Sequence, residues 1–301
     1  MPELPEVETI RRGLSKRLVG RTIRNIEVRN VRSFQGEVKD VIGANVSDIE
    51  RRAKVIRIKL SNGLNLLFHL KMTGQLIYRQ SAIGNPQSEQ KRTAKSGQLI
   101  GNFAGGHPDH EWHAELPTKH THIIFTFDDG SHLYFNDLRK FGWCKVLTAD
   151  QIDDILVDYG LEPFSDDFTA EYMIQKAKKI PNRTIKQFLM DQEIIAGVGN
   201  IYADEALFDA RILPTRKVKD IILSEWQKVH DSVLKVLDMG IKYGGTTDSD
   251  YVNSEGKKGG MQDHLKVYHK TGEKCSGGCG GVVKRMTIGG RGTHYCESCQ
   301  K

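Results

Sequence analysis

The periodicity of the apolar residues changes once along the chain, and that change sets the fold class. From residue 20 to about 147 they come in short runs rich in β-branched and aromatic side chains: Thr22 to Val28, Val55 to Leu60, Leu64 to Leu70, Ile123 to Phe127, Leu133 to Phe135 and Trp143 to Leu147. Beyond Phe168 the spacing is helical, over Tyr172 to Lys179, Ile185 to Asp191, Ile201 to Ala210 and Ile221 to Ile241. One helix precedes the strands, because Val7, Ile10, Leu14 and Leu18 form a single stripe with Pro5 in the first turn and Gly20 at the stop. Strands grouped before helices predict an α+β multidomain chain, a sheet or sandwich carrying the N-terminal helix and then a helical part. The turn-rich segment from Tyr159 to Phe168, with Pro163 and Ser165-Asp166-Asp167, separates the two.

Four of the five cysteines close the chain as Cys275-x3-Cys279-x16-Cys296-x2-Cys299. Thiolates at this spacing meet at one tetrahedral zinc, and the residues between the pairs are long enough for a β-hairpin. Two disulfides would need an oxidising compartment, which nothing in the sequence implies. One structural Zn2+ is therefore expected, while Cys144, alone in an apolar strand, reads as a buried structural thiol.

The chain has 301 residues, enough for two cores and a small appendage. Hydrophobic content of 38% and 27% charged residues describe a soluble, globular protein. No apolar run approaches the roughly eighteen residues of a membrane span, and the charged N-terminus does not read as a signal peptide, so a cytoplasmic protein with no membrane partner is expected. The net charge of +6 suits an anionic partner but is a weak signal alone. Its distribution says more: residues 262–301 hold seven Lys/Arg against three Asp/Glu.

The chain starts Met1-Pro2-Glu3-Leu4-Pro5-Glu6-Val7-Glu8. If Met1 is removed, Pro2 becomes a secondary amine beside the acids Glu3 and Glu6. An α-amino group has a pKa of roughly 8, so a fraction is neutral near pH 7 and can attack an aldehyde-level carbon. A lone acidic first turn would otherwise be ordinary decoration of a helix N-terminus.

The whole string MPELPEVETIRRGL resembles the N-terminus of the formamidopyrimidine-DNA glycosylases, bacterial enzymes that excise oxidised purines and then cut the strand. The resemblance covers nearly the whole chain and implies roles for residues that mean little alone. Arg51-Arg52-Ala53-Lys54 would ordinarily be a solvated strand edge. In the family its lysine approaches the lesion, a role that falls on Lys54. Met72, in a turn before Gly74, would ordinarily be core. By resemblance it joins Arg139 and Phe141, of Asn136-Asp137-Leu138-Arg139-Lys140-Phe141-Gly142, in filling the hole left by an extruded base. Such a set answers the few kcal/mol that flipping costs.

The resemblance also assigns His120 to phosphate. Two glycines in Ala196-Gly197-Val198-Gly199-Asn200 leave room for phosphate at backbone N–H groups of the following helix. By resemblance this is a helix–two-turn–helix in which Asn200 and Lys186 grip the phosphates. Glu6, Thr246 and Thr247 are implied to hold the lesion, the last two in a polar loop that would otherwise be a linker. Arg291, at the hairpin between the cysteine pairs, is implied to clamp phosphates and to serve the later elimination; a guanidinium is a poor acid, so the clamp is the stronger role.

The expected domains are a catalytic N-terminal β-sandwich domain (1–150), a helical helix–two-turn–helix domain with the lesion loop (151–261) and a zinc finger (262–301). Two features depart from the family. The connection at about 79–117 is about thirty residues longer than usual, polar and Gly-rich, and reads as a mobile surface insertion. It carries His107, His110 and His113, a weak metal signal. The Cys275-x3-Cys279 knuckle is one residue longer than usual. The implied partner is duplex DNA carrying oxidised bases or abasic sites, bound by a monomer. Two rivals remain: an endonuclease VIII-like enzyme for oxidised pyrimidines, disfavoured by Leu4 and the Arg139/Phe141 motif, and a catalytically idle DNA-binding scaffold, disfavoured by the intact Pro2-Glu3 pair.

Overall fold

A computed structural model describes residues 1–80, 103–106, 116–246 and 259–301. The chain forms two compact units. The first comprises Met1–Pro2, Glu6–Leu156 and Gly244–Gly259; the second comprises Glu3–Pro5, Val157–Tyr243 and Gly260–Lys301.

In the first unit two five-stranded sheets enclose one core. One sheet contains β1 (Ile23–Val28), β6 (Gly74–Arg79), β7 (Phe103–Gly106), β8 (Thr121–Phe127) and β9 (His132–Asp137), in the order β1-β8-β9-β6-β7. The other contains β2 (Phe34–Gln35), β3 (Val46–Arg52), β4 (Val55–Leu60), β5 (Asn65–His69) and β10 (Trp143–Leu147), in the order β2-β10-β5-β4-β3. The apolar stripe of α1 (Leu4–Leu18) reaches this core through Val7, Ile10, Leu14 and Leu18. Phe68 lies at its centre, fully buried, with Phe125 and Phe135 packed edge-on at ring distances of 5.8 and 5.9 Å. Cys144 is buried in the same core, and burial pushes its thiol pKa well up, as an inert structural thiol requires.

Of the polar stretch 79–117, residues 81–102 and 107–115, and with them His107, His110 and His113, lie outside the described residues; 103–106 pair with β6 at the sheet edge. Helix α2 (Ala149–Leu156) closes the unit. Its apolar residues Ile152, Ile155 and Leu156 share one face, and Thr148 and Gln151 form a reciprocal cap, Thr148 N–H to Oε1 at 3.0 Å and Gln151 N–H to Oγ1 at 3.4 Å.

Two of the places where the chain crosses between the sheets are neighbours. The segment 70–73 leaves β5 at His69 and enters β6 at Gly74; the segment 138–142 leaves β9 at Asp137 and enters β10 at Trp143. His69 pairs with Trp143 in one sheet and Gly74 with Asp137 in the other, so the two crossings run side by side. Each contains a lysine in the left-handed region, Lys71 (φ 52°) and Lys140 (φ 59°).

The second unit holds α3 (Ala170–Lys178), α4 (Ile185–Met190), α5 (Asn200–Asp209) and α6 (Leu223–Lys242), followed by the hairpin β11 (Lys284–Ile288) and β12 (Arg291–Tyr295). Thr169 caps α3, and Thr184 caps α4 in a box with Gln187. Gly199 precedes α5 with no side chain to cap it. Helix α5 is buried from Ile201 to Phe208, its acids Asp204 and Glu205 included.

Removing the Phe68 ring leaves a cavity between the sheets. Phe68→Ala should cost about 3–5 kcal/mol, measured as a fall in the denaturant midpoint; a loss below about 1 kcal/mol would show that Phe68 is not central.

Candidate functional site

In the second unit the cap that α5 lacks comes from the start of the chain. The Glu3 carboxylate is buried and accepts the N–H of Ile201 at 3.0 Å and of Tyr202 at 3.3 Å. The positive end of the helix dipole favours a negative charge there. A Cβ on Gly199 would lie 2.3 Å from Glu3 Cδ, and one on Gly197, whose φ is +90°, would lie 2.7 Å from Leu4 Cβ. Leu4 N–H also donates to Gly197 O at 3.0 Å. The two glycines therefore make room for the chain's own N-terminal segment, and the N–H groups expected to meet phosphate are taken by Glu3. Pro2 is buried in the first unit, and with Met1 before it its nitrogen is a peptide nitrogen.

Lys186 and Asn200 converge on one backbone carbonyl. Gly292 O accepts Lys186 Nζ at 3.2 Å and Asn200 Nδ2 at 3.0 Å. The Lys186 side chain has no exposure and ion-pairs with Asp204 at 2.6 Å; burial lowers its pKa although the Asp204 charge opposes the shift. Asp204 in turn accepts the His294 N–H at 2.8 Å. Lys186 thus braces the turn that presents Arg291, which is exposed at the start of β12 after Gly289-Gly290.

The sulfurs of Cys275, Cys279, Cys296 and Cys299 lie within 4.8 Å of one another. Gly277 N–H and Gly281 N–H each donate to a cysteine sulfur at 3.4 Å, as amides around bound thiolates do. A Cβ on Gly277 would lie 2.6 Å from Cys299 Sγ, so the longer knuckle relies on its glycine to bring the sulfurs together. Hydrogen bonding to Cys299 brings the Cys279 thiol down to about 7, whereas burial pushes Cys275 up to about 12. The donor set fits a soft divalent cation in tetrahedral coordination.

In the first unit Glu6 accepts the Thr246 N–H at 2.7 Å, and both residues are buried; Thr247 lies outside the described residues. Lys54 is not on a solvated edge. With Ala53 (φ 53°) it forms the two-residue turn between β3 and β4, and it is 6% exposed. Arg51 leaves solvent too, pairing at 3.2 Å with Glu8, which also binds Arg11 and Arg12. Burial would raise the Glu8 carboxyl, but hydrogen bonds from Arg11 and Arg12 and the nearby charges hold it below the usual range. His69 Nδ1 accepts the Lys71 N–H at 2.9 Å. Burial first, then the charges of Lys71 and Lys54, push its imidazole down to about 3.

Met72, Arg139 and Phe141 come together at the two sheet crossings. Arg139 Nη1 lies 3.0 Å from Met72 Sδ, and its guanidinium carbon lies 4.8 Å from the Phe141 ring centre. Met72 is 38% and Phe141 55% exposed, so neither is a core residue. Half-buried His120 lies beside them through its carbonyl, which accepts the Asp137 N–H at 3.0 Å.

Two family models match the chain: the formamidopyrimidine-DNA glycosylase N-terminal domain over residues 1–144 and the helix–two-turn–helix domain of the same enzymes over 159–252. Proteins named formamidopyrimidine-DNA glycosylase from Exiguobacterium sp. and Halalkalibacterium halodurans are each 36% identical to the chain, with both lengths covered in full. The chain belongs to the formamidopyrimidine-DNA glycosylase family.

Solved structures of family enzymes agree. A Lactococcus lactis enzyme bound to DNA containing an abasic site superposes with a TM-score of 0.82 at 32% identity, over 99% of each chain. A variant of that enzyme with formamidopyrimidine-containing DNA gives 0.83 at 34% identity, over both full lengths. Sequence reasoning found the outward groups but missed the buried acids beneath them. Asp137 stands inside the same 136–142 motif as Arg139 and Phe141. Asp204 and Glu205 were legible as an acidic pair in an otherwise apolar helix, a pattern that solvent exposure does not explain.

His69 yields a pH prediction. Its folded pKa of about 3 lies below the unfolded 6.5, so protons bind the unfolded chain first as the pH falls. Its share of stability is complete above pH 6.5 and declines toward 3. Between pH 6 and 4 the wild type should lose about 1.4 kcal/mol per unit more than His69→Asn, measured by urea unfolding; equal slopes would sink the assignment.

Proposed function

We propose that the protein is a bifunctional DNA glycosylase and abasic-site lyase of base excision repair that removes oxidised purines, 8-oxoguanine and formamidopyrimidines, from duplex DNA. The observation that carries this reading is the buried Glu3 carboxylate, fixed at the N-terminus of α5 one residue from Pro2, in a chain that matches the family over its full length. The enzyme acts as a monomer in the bacterial cytoplasm.

The reaction needs Met1 removed. The Pro2 nitrogen then attacks the sugar C1′, the N–C1′ bond forms, and the glycosidic bond breaks with the base leaving as its protonated, neutral form. Glu3 serves as general acid and base at the sugar oxygen. The C1′–O4′ bond then opens, O4′ taking a proton through Glu3, and the C1′ iminium that results acidifies the C2′ proton, so that β- and then δ-elimination expel the 3′ and 5′ phosphates. Lys54 orients the lesion and assists proton transfer, while Glu6, Thr246 and Thr247 hold the extruded base. Arg291, Asn200 and His120 contact phosphate; Lys186, expected beside Asn200 at the phosphates, has no exposure and supports the same turn through Gly292 O. Met72, Arg139 and Phe141 occupy the hole in the stack, Arg139 facing the estranged base. The four cysteines hold one structural Zn2+, which would fix the hairpin that carries Arg291.

A second lesion class has one specific support. The Lactococcus lactis enzyme, with a TM-score of 0.81 and 33% identity to this chain, is also described in complex with DNA containing an oxidised pyrimidine. Parallel assays on duplexes carrying each lesion separate the two.

Borohydride trapping on a duplex with 8-oxoguanine opposite cytosine should give a covalent adduct at Pro2 by mass spectrometry. Pro2→Gly should keep DNA binding and slow excision, and Glu3→Gln should impair excision. Gly199→Ala, which displaces Glu3, should reproduce the Glu3→Gln defect by about 10²-fold; full activity in Pro2→Gly or Glu3→Gln would remove the mechanism. Zinc loss on chelation should weaken DNA binding together with Arg291→Ala.

A further inference from the structure

Asp137 is wholly buried, in a protein unit whose neighbouring residues at the same edge are exposed. Its carboxylate is fully engaged. Oδ1 accepts the Thr73 hydroxyl and, at 3.1 Å, the Arg139 N–H; Oδ2 accepts the Gly142 N–H at 2.6 Å. The Thr73 hydroxyl oxygen also accepts the Arg139 N–H at 3.0 Å. The Asp137 backbone is bound as well: its N–H donates to His120 O at 3.0 Å, and its carbonyl lies 2.7 Å from His122 Nε2.

These bonds join the two sheet crossings. Thr73 follows Met72 on one; Arg139 and Gly142, which flank Phe141, lie on the other. A Cβ on Gly142 would lie 2.8 Å from Phe135 and 3.1 Å from Asp137 Oδ2, so the second crossing has no slack against the carboxylate. A buried carboxylate that lost these donors would be left with uncompensated charge, which is costly, so each crossing is held in one arrangement. That arrangement is the one in which Arg139 touches both Met72 and Phe141.

We infer that Asp137, with Thr73, is a positioning residue for base extrusion: it locks the two crossings together so that Met72, Arg139 and Phe141 enter the DNA as one preassembled wedge. Asp137 touches no substrate atom in this role. The inference rests on the proposed glycosylase reading, and it assigns Asp137 to the extrusion step alone.

The test compares two substrates that differ in that step. In an 8-oxoguanine duplex a stacked base must be pulled out; in an abasic duplex there is none to extrude. Asp137→Asn replaces one acceptor oxygen with an N–H2 group that faces N–H donors, and Thr73→Val removes the hydroxyl with little change in shape. In single-turnover assays each variant should slow excision of 8-oxoguanine by about tenfold or more. Strand cleavage at the abasic site should stay within about threefold of wild type, with KM for the 8-oxoguanine duplex equally little changed. Fluorescence of 2-aminopurine placed beside the lesion should show slower unstacking in step with excision.

If Asp137→Asn is poorly folded, Thr73→Val with an unchanged thermal midpoint decides the matter. Wild-type rates on both substrates in a folded variant would overturn the inference, as would equal slowing on both. Failure of the wild-type protein to excise 8-oxoguanine would instead overturn the proposed function.

Discussion

A carboxylate three residues from the start of the chain occupies the N-terminus of a helix that begins at residue 200, and the proposed chemistry depends on that placement. Chain termini fray unless something holds them. Here Glu3 fills the donors that α5 leaves unpaired, Leu4 packs in the second unit's core, and Gly197 and Gly199 have no side chains to stand in the way. Burying a carboxylate is costly without partners; two N–H donors and the helix dipole offset that cost at the one place in the unit where α5 has no cap of its own. A helix end and a chain end thus satisfy each other.

The same device recurs elsewhere in both units. Glu6 holds the N–H of Thr246, Asp137 those of Arg139 and Gly142, Asp204 that of His294, and Glu205 those of Lys266, Val267 and Tyr268. Each acid is buried and each gripped amide belongs to a loop or strand end. For Glu205, burial raises the pKa while the three amides oppose it. Backbone amides are fixed points, so a carboxylate bound to several of them leaves a loop few alternative paths. Exposed side chains on such loops keep their polarity for a partner while the acids below supply the rigidity.

This division explains what the sequence disclosed. Elements with one clean period were legible: β4 and β10 fall where their alternating residues placed them, and the stripe of α1 reaches the core as expected. Strand β3 was not foreseen because it turns only Val46 and Ile49 inward among polar residues, and β6 because it is buried on both faces and follows a turn-like Met-Thr-Gly. Resemblance, not residue type, marked Arg139, Phe141 and Arg291 as outward groups, and all three are exposed. Residue type misled at Lys54 and Arg51, where a charge run suggested a solvated edge, and at the two glycines, where the missing ligand came from the chain itself. Partners across 64 or 198 residues, as for Thr73 with Asp137 and Ile201 with Glu3, leave no local periodicity to read.

The exposed wedge raises an energetic question that preorganisation resolves. Large apolar side chains left in solvent, such as Phe141 at 55%, gain nothing for the free protein. In the proposed reaction the protein must offset a few kcal/mol of lost stacking when a base is extruded. Immobilising a flexible side chain on binding costs about 0.5–1.5 kcal/mol, so ordering three of them at that moment would consume an amount comparable to the extrusion itself. Arg139 already lies against Met72 and Phe141, and Asp137 already fixes the backbone beneath them. Part of the ordering is then met during folding, where the buried core of the first unit supports it, and more of the contact made with the opened stack is left to hold the base out.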